Sequence, residues 1–134
     1  MSIMSETHER QLPLPTEGEL DILQILWANG PQTVREIHQA LRDKQTGYTT
    51  VLKQMQVMTE KGLLKRNERF RSHVYAAKHG RERTQQRLIV DFLQRAFSGS
   101  AKNLVLGALS ARRVSQQELA EIKEAIRRFE EKPQ

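Results

Sequence analysis

The side chains able to do chemistry fall into two groups, and only one is organised. Four histidines, His8, His38, His73 and His79, are scattered, and none stands in a metal-ligand spacing such as His-Glu-x-x-His. The chain has no glycine-rich phosphate loop and no serine in a nucleophile elbow. Most carboxylates sit at helix starts, where the helix dipole accounts for them. No enzyme, metal site or cofactor is expected. The cations behave differently. Between Arg35 and Arg87 stand 13 Lys or Arg against 5 Asp or Glu, although the whole chain nets only +6. Charge of one sign gathered in one segment suits a polyanionic partner. On charge alone, a solvated basic face without a partner reads equally well.

Position separates the two readings. On a helix over residues 48–61, Val51, Met55 and Met58 recur at i, i+4 and i+7 and turn inward. The opposite arc carries Thr49, Thr50, Lys53 and Gln56: two hydroxyls, a cation and an amide, the types that read base edges and phosphates in a major groove. No acid interrupts it before Glu60, so the positive end of the helix dipole is open to phosphate. Val57, at the edge of the arc, reads as a thymine-methyl contact or as a plain surface valine. Arg66, Arg69 and Arg71 surround the lone acid Glu68 in a hairpin, which places cations against flanking backbone or in a minor groove. Phe70 is expected to pack at the hairpin base.

The elements that must hold these groups can be traced along the chain. Pro13 and Pro15 block regular structure, so residues 1–15 are expected to form a disordered arm. Thr16-Glu-Gly-Glu19 has capping-box spacing and opens a first helix bearing Leu20, Ile22, Leu23, Ile25, Leu26 and Trp27. Asn29-Gly30-Pro31 ends it. Thr33-Val-Arg-Glu36 repeats the box for a second helix with Val34, Ile37 and Leu41 inward and His38 half-exposed. After a polar connection over residues 44–47 comes the third helix, closed by Gly62. Short β-prone runs at 63–66 and 73–77 flank a polar link, a hairpin pattern. Helix, helix, helix and basic hairpin over residues 16–79 spell a winged helix-turn-helix.

Residues 80–134 read as a helical dimerisation region. Leu88, Ile89, Phe92, Leu93, Ala96 and Phe97 form one stripe, ending near Ser98-Gly99-Ser100. Leu104, Leu106 and Leu109 mark a short apolar helix. Ser115-Gln-Gln-Glu118 is a third capping box, and beyond it Leu119, Ile122, Ile126 and Phe129 are spaced 3, 4 and 3, as in a helix-pairing seam. These faces exceed what a small winged helix covers, so a homodimer is expected; the alternative is that they fold back on their own domain. The fold class expected is mainly α with a small β-hairpin.

Composition removes further classes. With no cysteine among the 134 residues, disulfide scaffolds, zinc ribbons, iron–sulfur clusters and thiol catalysis drop out. No apolar run approaches the ~20 residues of a membrane span. Residues 1–10 lack a cationic flank followed by an apolar stretch, so no secretory signal is expected. The expectation is a soluble, cytoplasmic protein with no membrane insertion.

Leu20-Asp-Ile-Leu-Gln-Ile-Leu-Trp27, Gly30-Pro31-Gln-Thr-Val-Arg-Glu-Ile37, Tyr48-Thr-Thr-Val-Leu52, Lys61-Gly-Leu-Leu64 and Val74-Tyr75 occur in that order. Together they resemble the penicillinase-repressor family (BlaI/MecI/CopY), from about Thr16 to Phe129. The resemblance implies a winged-helix repressor that dimerises through its C-terminal helices and binds a palindromic operator in double-stranded DNA. By position, Thr49, Thr50 and Lys53 fall where that family's recognition helix touches DNA. Wings of the family usually have a glycine at the turn and a proline just past the tyrosine; here residues 67–72 lack glycine and Ala76-Ala77 follows Tyr75. Copper-sensing members use a C-terminal cysteine cluster, which this chain lacks. Antibiotic-responsive members are cleaved at an Asn-Phe bond, where this chain has Gly107-Ala108. The inducing signal, and any upstream sensor or protease, is left open. Two rival functions stand beside the repressor: a winged-helix regulator released by a small-molecule effector, and a winged-helix adaptor that binds a protein.

Overall fold

The computed structural model describes residues 12–43, 45–69 and 71–132. Residues 1–11, most of the expected arm, and Phe70, expected at the hairpin base, lie outside them. Among the described residues six helices and one hairpin follow in order: α1 (Glu17–Asn29), α2 (Val34–Ala40), α3 (Tyr48–Lys61), β1 (Leu64–Asn67), β2 (Val74–Ala77), α4 (Arg81–Phe97), α5 (Ala101–Ala111) and α6 (Gln116–Glu131). This mainly helical chain with its small hairpin is the winged-helix class read from the sequence.

Local chemistry sets the first two helix starts. The Thr16 and Thr33 hydroxyls accept from the backbone N–H groups of Glu19 and Glu36, both at 3.2 Å. The two glutamates return to accept from the Thr16 and Thr33 N–H groups, both at 2.9 Å. Each reciprocal pair satisfies donors that a helix start otherwise leaves orphaned. At the end of α3, Gly62 adopts the left-handed conformation (φ 89°, ψ 19°), which a side chain would resist.

The chain divides into two compact units, Met1–Val90 and Asp91–Gln134. In the first unit, Ile22, Leu23 and Leu26 of α1 pack with Val34 and Ile37 of α2, Val51, Met55 and Met58 of α3, and Leu63, Leu64 and Tyr75. The strands pair antiparallel, Leu64 opposite Ala77 through Asn67 opposite Val74. A short addition extends the sheet. Gln32 donates its N–H to the Tyr75 carbonyl (2.9 Å) and accepts from the Tyr75 N–H (2.8 Å), tying the hairpin to the α1–α2 connection. Trp27 Nε1 donates to the His79 carbonyl at 3.0 Å, and the Arg81 guanidinium lies 5.9 Å from the Trp27 ring centroid.

Two features of the packing lie away from the boundaries expected. Leu12 and Pro15, assigned to a disordered arm over 1–15, are buried, and Arg87 Nε donates to the Leu12 carbonyl at 2.9 Å. Prolines exclude helix and strand ladders, but they do not stop an apolar segment from packing in extended form. The division expected near residue 80 falls at Val90/Asp91, inside α4. The first turns of α4 belong with the winged domain, where Thr84 is buried.

The second unit holds the end of α4 with α5 and α6. Ser98 (φ 48°) and Gly99 (φ 82°) make the turn out of α4. The Ser100 hydroxyl caps α5 by accepting from the Asn103 N–H at 3.1 Å. Phe92 and Phe97 meet edge to face, with centroids 5.5 Å apart. Half of the third expected box forms. Ser115 Oγ accepts from the Glu118 N–H at 3.0 Å, while the Glu118 carboxylate accepts from Arg112 Nη2 at 3.1 and 3.2 Å. Neither α5 nor α6 buries a residue fully.

Candidate nucleic-acid interface

The amphipathic period of α3 sorts its two faces. Val51, Met55 and Met58 are fully buried, which turns Thr49, Thr50, Lys53 and Gln56 outward; all four are exposed. Val57, at the edge of that arc, is 41% exposed. Lys53 forms no salt bridge among the described residues, so its charge is not committed within the domain.

Three contacts fix how α3 is presented. At its C-terminal end, Lys61 Nζ donates to Glu19 Oε1 at 2.7 Å, bridging α3 to the first turn of α1. Burial alone would push the Glu19 carboxyl up. The Lys61 ammonium and the Thr16 N–H and hydroxyl outweigh it and hold the pKa below the ordinary carboxylate value. At its N-terminal end, Gly47 supplies no side-chain cap. The approach is set by Asp43 instead, whose carboxylate accepts from the Gln45 N–H and the Thr46 hydroxyl, both at 3.0 Å. The third contact is His38. Its Nε2 lies 2.9 Å from the Thr46 carbonyl, a partner that requires the proton on Nε2. The same ring meets Tyr48 edge to face, centroids 6.0 Å apart and planes at 88°.

His38, read from sequence as a half-exposed helix residue, therefore clasps the turn between α2 and α3. Its eight-residue separation from Thr46 matches no local motif. Tyr48 also carries no signal of a site in the sequence pattern. It lies one turn before Val51 on the apolar stripe, yet at the helix start the stripe has run beyond the core, and the ring is 46% exposed.

The wing arginines do not stand alike. Arg66, opposite Tyr75 in the hairpin register, is hydrogen-bonded to Glu68. Tyr75 first, and then Glu68, raise its pKa further, so it is a permanent but partly neutralised cation. Arg69 and Arg71 are exposed. In the wing turn Asn67 Oδ1 accepts from the Arg69 N–H at 2.9 Å, an Asx turn.

The residues expected at a dimer seam keep apolar surface open. Leu88 in the first unit is half-buried. In the second, Leu93, Leu104, Leu109, Leu119 and Ile122 are half-buried. Phe92, Leu106, Ile126 and Phe129 are exposed by 48%, 51%, 50% and 71%. No helix among the described residues is long and apolar enough to cross a membrane.

The family model described as "Penicillinase repressor" matches residues 15–128. The chain belongs to the penicillinase-repressor family. A relative named "Transcriptional regulator BlaI", from Mycobacterium tuberculosis strain CDC 1551 / Oshkosh, is 34% identical over 93 residues, covering 66% of this chain and 67% of the relative. The regulator of the same name from strain H37Rv gives the same figures. The family match takes in the winged domain and all of α5, and runs along α6 to Arg128. This chain is thus a member of a family of winged-helix, DNA-binding transcriptional repressors.

Proposed function

We propose that this chain represses transcription as a homodimer, seating the α3 of each copy in the major groove of a dyad-symmetric operator. The observation that carries this reading is the sorting of α3: Val51, Met55 and Met58 wholly buried, and an exposed arc of Thr49, Thr50, Lys53 and Gln56 with no carboxylate before Glu60. Lys53, Arg69 and Arg71 supply affinity through phosphate contact and counterion release. Thr49, Thr50 and Gln56 supply sequence preference, each good base contact discriminating by about 1–3 kcal/mol. Arg66 contributes less than its neighbours, because Glu68 already holds it.

Pairing of two copies is supported by the open apolar surface of the second unit. Leu106, Ile126 and Phe129 are left half or more exposed, and a specific interface of about 1,200–2,000 Å² in total provides a cover. A two-fold axis then sets the recognition helices about 34–36 Å apart, one turn of DNA, or a multiple of it.

The test compares two single substitutions on one duplex recovered by selection and one of random sequence. Lys53→Ala is expected to weaken both by the same factor and to lower the salt dependence. Thr50→Ala is expected to weaken the selected duplex alone, with its preference lost at one base pair. Equal losses on both duplexes for both variants contradict this division of roles.

A further inference from the structure

We propose that the cleft between the start of α3 and the returning strand of the wing seats a phosphodiester of the DNA strand that separates the two grooves, with Arg35 and Tyr48 as its principal donors. The inference rests on the repressor reading and adds to it a site distinct from the base-reading arc. A helix in a major groove and a hairpin in the adjacent minor groove straddle one sugar–phosphate strand, so whatever lies between those elements faces phosphate.

What lies there is a cleft of about 440 Å³ walled by three elements. Arg35 comes from α2, Tyr48 and Leu52 from α3, and Ser72, His73 and Tyr75 from the hairpin. A cation, a phenol, a hydroxyl and an imidazole are all hydrogen-bond donors to an anionic oxygen. Among the described residues no carboxylate lines the cleft. The acids close to its walls in sequence are engaged elsewhere: Glu36 holds the Thr33 N–H and hydroxyl, and Glu68 holds Arg66. Arg35 is exposed and forms no salt bridge among the described residues.

Tyr48 is the second indication. Tyr48, at the head of the recognition helix, is left 46% exposed, yet its ring has a neighbour within the domain. His38 packs edge-on against it and is itself fixed by its bond to the Thr46 carbonyl. The ring is therefore backed by His38 where it lines the cleft, and pre-positioning of this kind suits a contact made in every complex whatever the sequence. His38 acts through Tyr48 and is a positioning residue.

The test uses the full chain with a random-sequence 30-base-pair duplex and with the selected duplex. Association constants are measured between 50 and 200 mM salt. Removing one phosphate contact lowers the slope of log K against log salt by about 0.9, so Arg35→Gln should lose about 3–4-fold less affinity over that range than the parent does. Its loss should be equal on the two duplexes. Tyr48→Phe should weaken both duplexes by one factor and leave the slope unchanged, since it removes a neutral donor. A neutral methylphosphonate linkage, walked along the selected duplex, should reveal one position that weakens the parent and not Arg35→Gln. Both side chains are exposed, and unchanged urea midpoints will show that the variants fold.

If the parent binds with its usual salt dependence while Arg35→Gln keeps the parent slope, or loses affinity on the selected duplex alone, the phosphate seat is overturned and the repressor reading stands. If the parent shows no salt-dependent binding to either duplex, both fall together.

Discussion

Removing Lys61 should destabilise the winged domain through a single carboxylate. Glu19 is 4% exposed, and its Oε1 accepts from both Lys61 Nζ (2.7 Å) and the Thr16 N–H (2.9 Å). Lys61→Met keeps the aliphatic stem and deletes the ammonium, leaving a buried carboxylate with only its capping partners. A hydrogen bond to a charged group contributes about 1.5–3 kcal/mol. Water reaches Lys61, whose side chain is 34% exposed, so the lower end of that range, about 1.5–2 kcal/mol, is expected. With a urea m-value of about 1.5–2 kcal/mol/M, the midpoint should fall by about 1 M. Glu19→Gln retains an acceptor for Thr16 but removes the charge, and in that background Lys61→Met should cost under ~0.5 kcal/mol; the cycle isolates the pair. The acid limb has a fixed sign. The folded pKa of Glu19 lies below its ordinary 4.5, so the stabilisation is complete above that value and is lost as pH falls through the depressed one. The deficit of Lys61→Met should therefore shrink in acid. An equal cost in both Glu19 backgrounds, or a deficit that grows as pH falls, refutes the reasoning.

Three further outcomes follow from the same structure. Met55 is wholly buried beneath α3, so Met55→Ala should cost about 2–5 kcal/mol in urea denaturation, and a cost below ~1 kcal/mol contradicts its place in the core. Ile126→Ser with Phe129→Ser alters side chains that are exposed in the single chain, so sedimentation should show dimers converted to monomers, and affinity for a dyad duplex should drop more than tenfold. Dimers that survive the double substitution would place the seam elsewhere. His79 is held below its ordinary pKa of 6.5, first by burial and then by the Arg83 and Lys78 charges. The unfolded chain therefore takes up a proton that the folded chain refuses, and stability should fall as pH drops below about 6.5, a slope that His79→Gln should flatten between pH 7 and 5.5.

Features encoded by neighbours in the chain were legible in the sequence. The Thr16–Glu19 and Thr33–Glu36 boxes, the stripe of Val51, Met55 and Met58, and the left-handed Gly62 each depend on residues within two turns, and the polar arc of α3 follows from the stripe. Features made by distant partners were not. The Gln32–Tyr75 bridge joins residues with no shared pattern, and Glu19 meets Lys61 across 42 positions. Burial of Leu12 and Pro15 depends on packing that exists only once the domain is assembled. The third box read correctly at Ser115, but Arg112, just upstream, offers Glu118 a charged partner in place of a backbone amide. In the site, Tyr48 continues the spacing of the apolar stripe yet is 46% exposed, and periodicity carries no information about where the core ends.

The most direct measurement is recovery of fragments from sheared genomic DNA by the purified chain at about 150 mM salt, followed by sequencing. Non-specific binding is weak at that ionic strength, so retention reports base reading. The result expected is a small set of enriched sites sharing one dyad-symmetric motif with half-sites one helical turn, or a multiple of it, apart. Enrichment without a common motif, or no enrichment at all, would contradict a sequence-reading dimeric repressor.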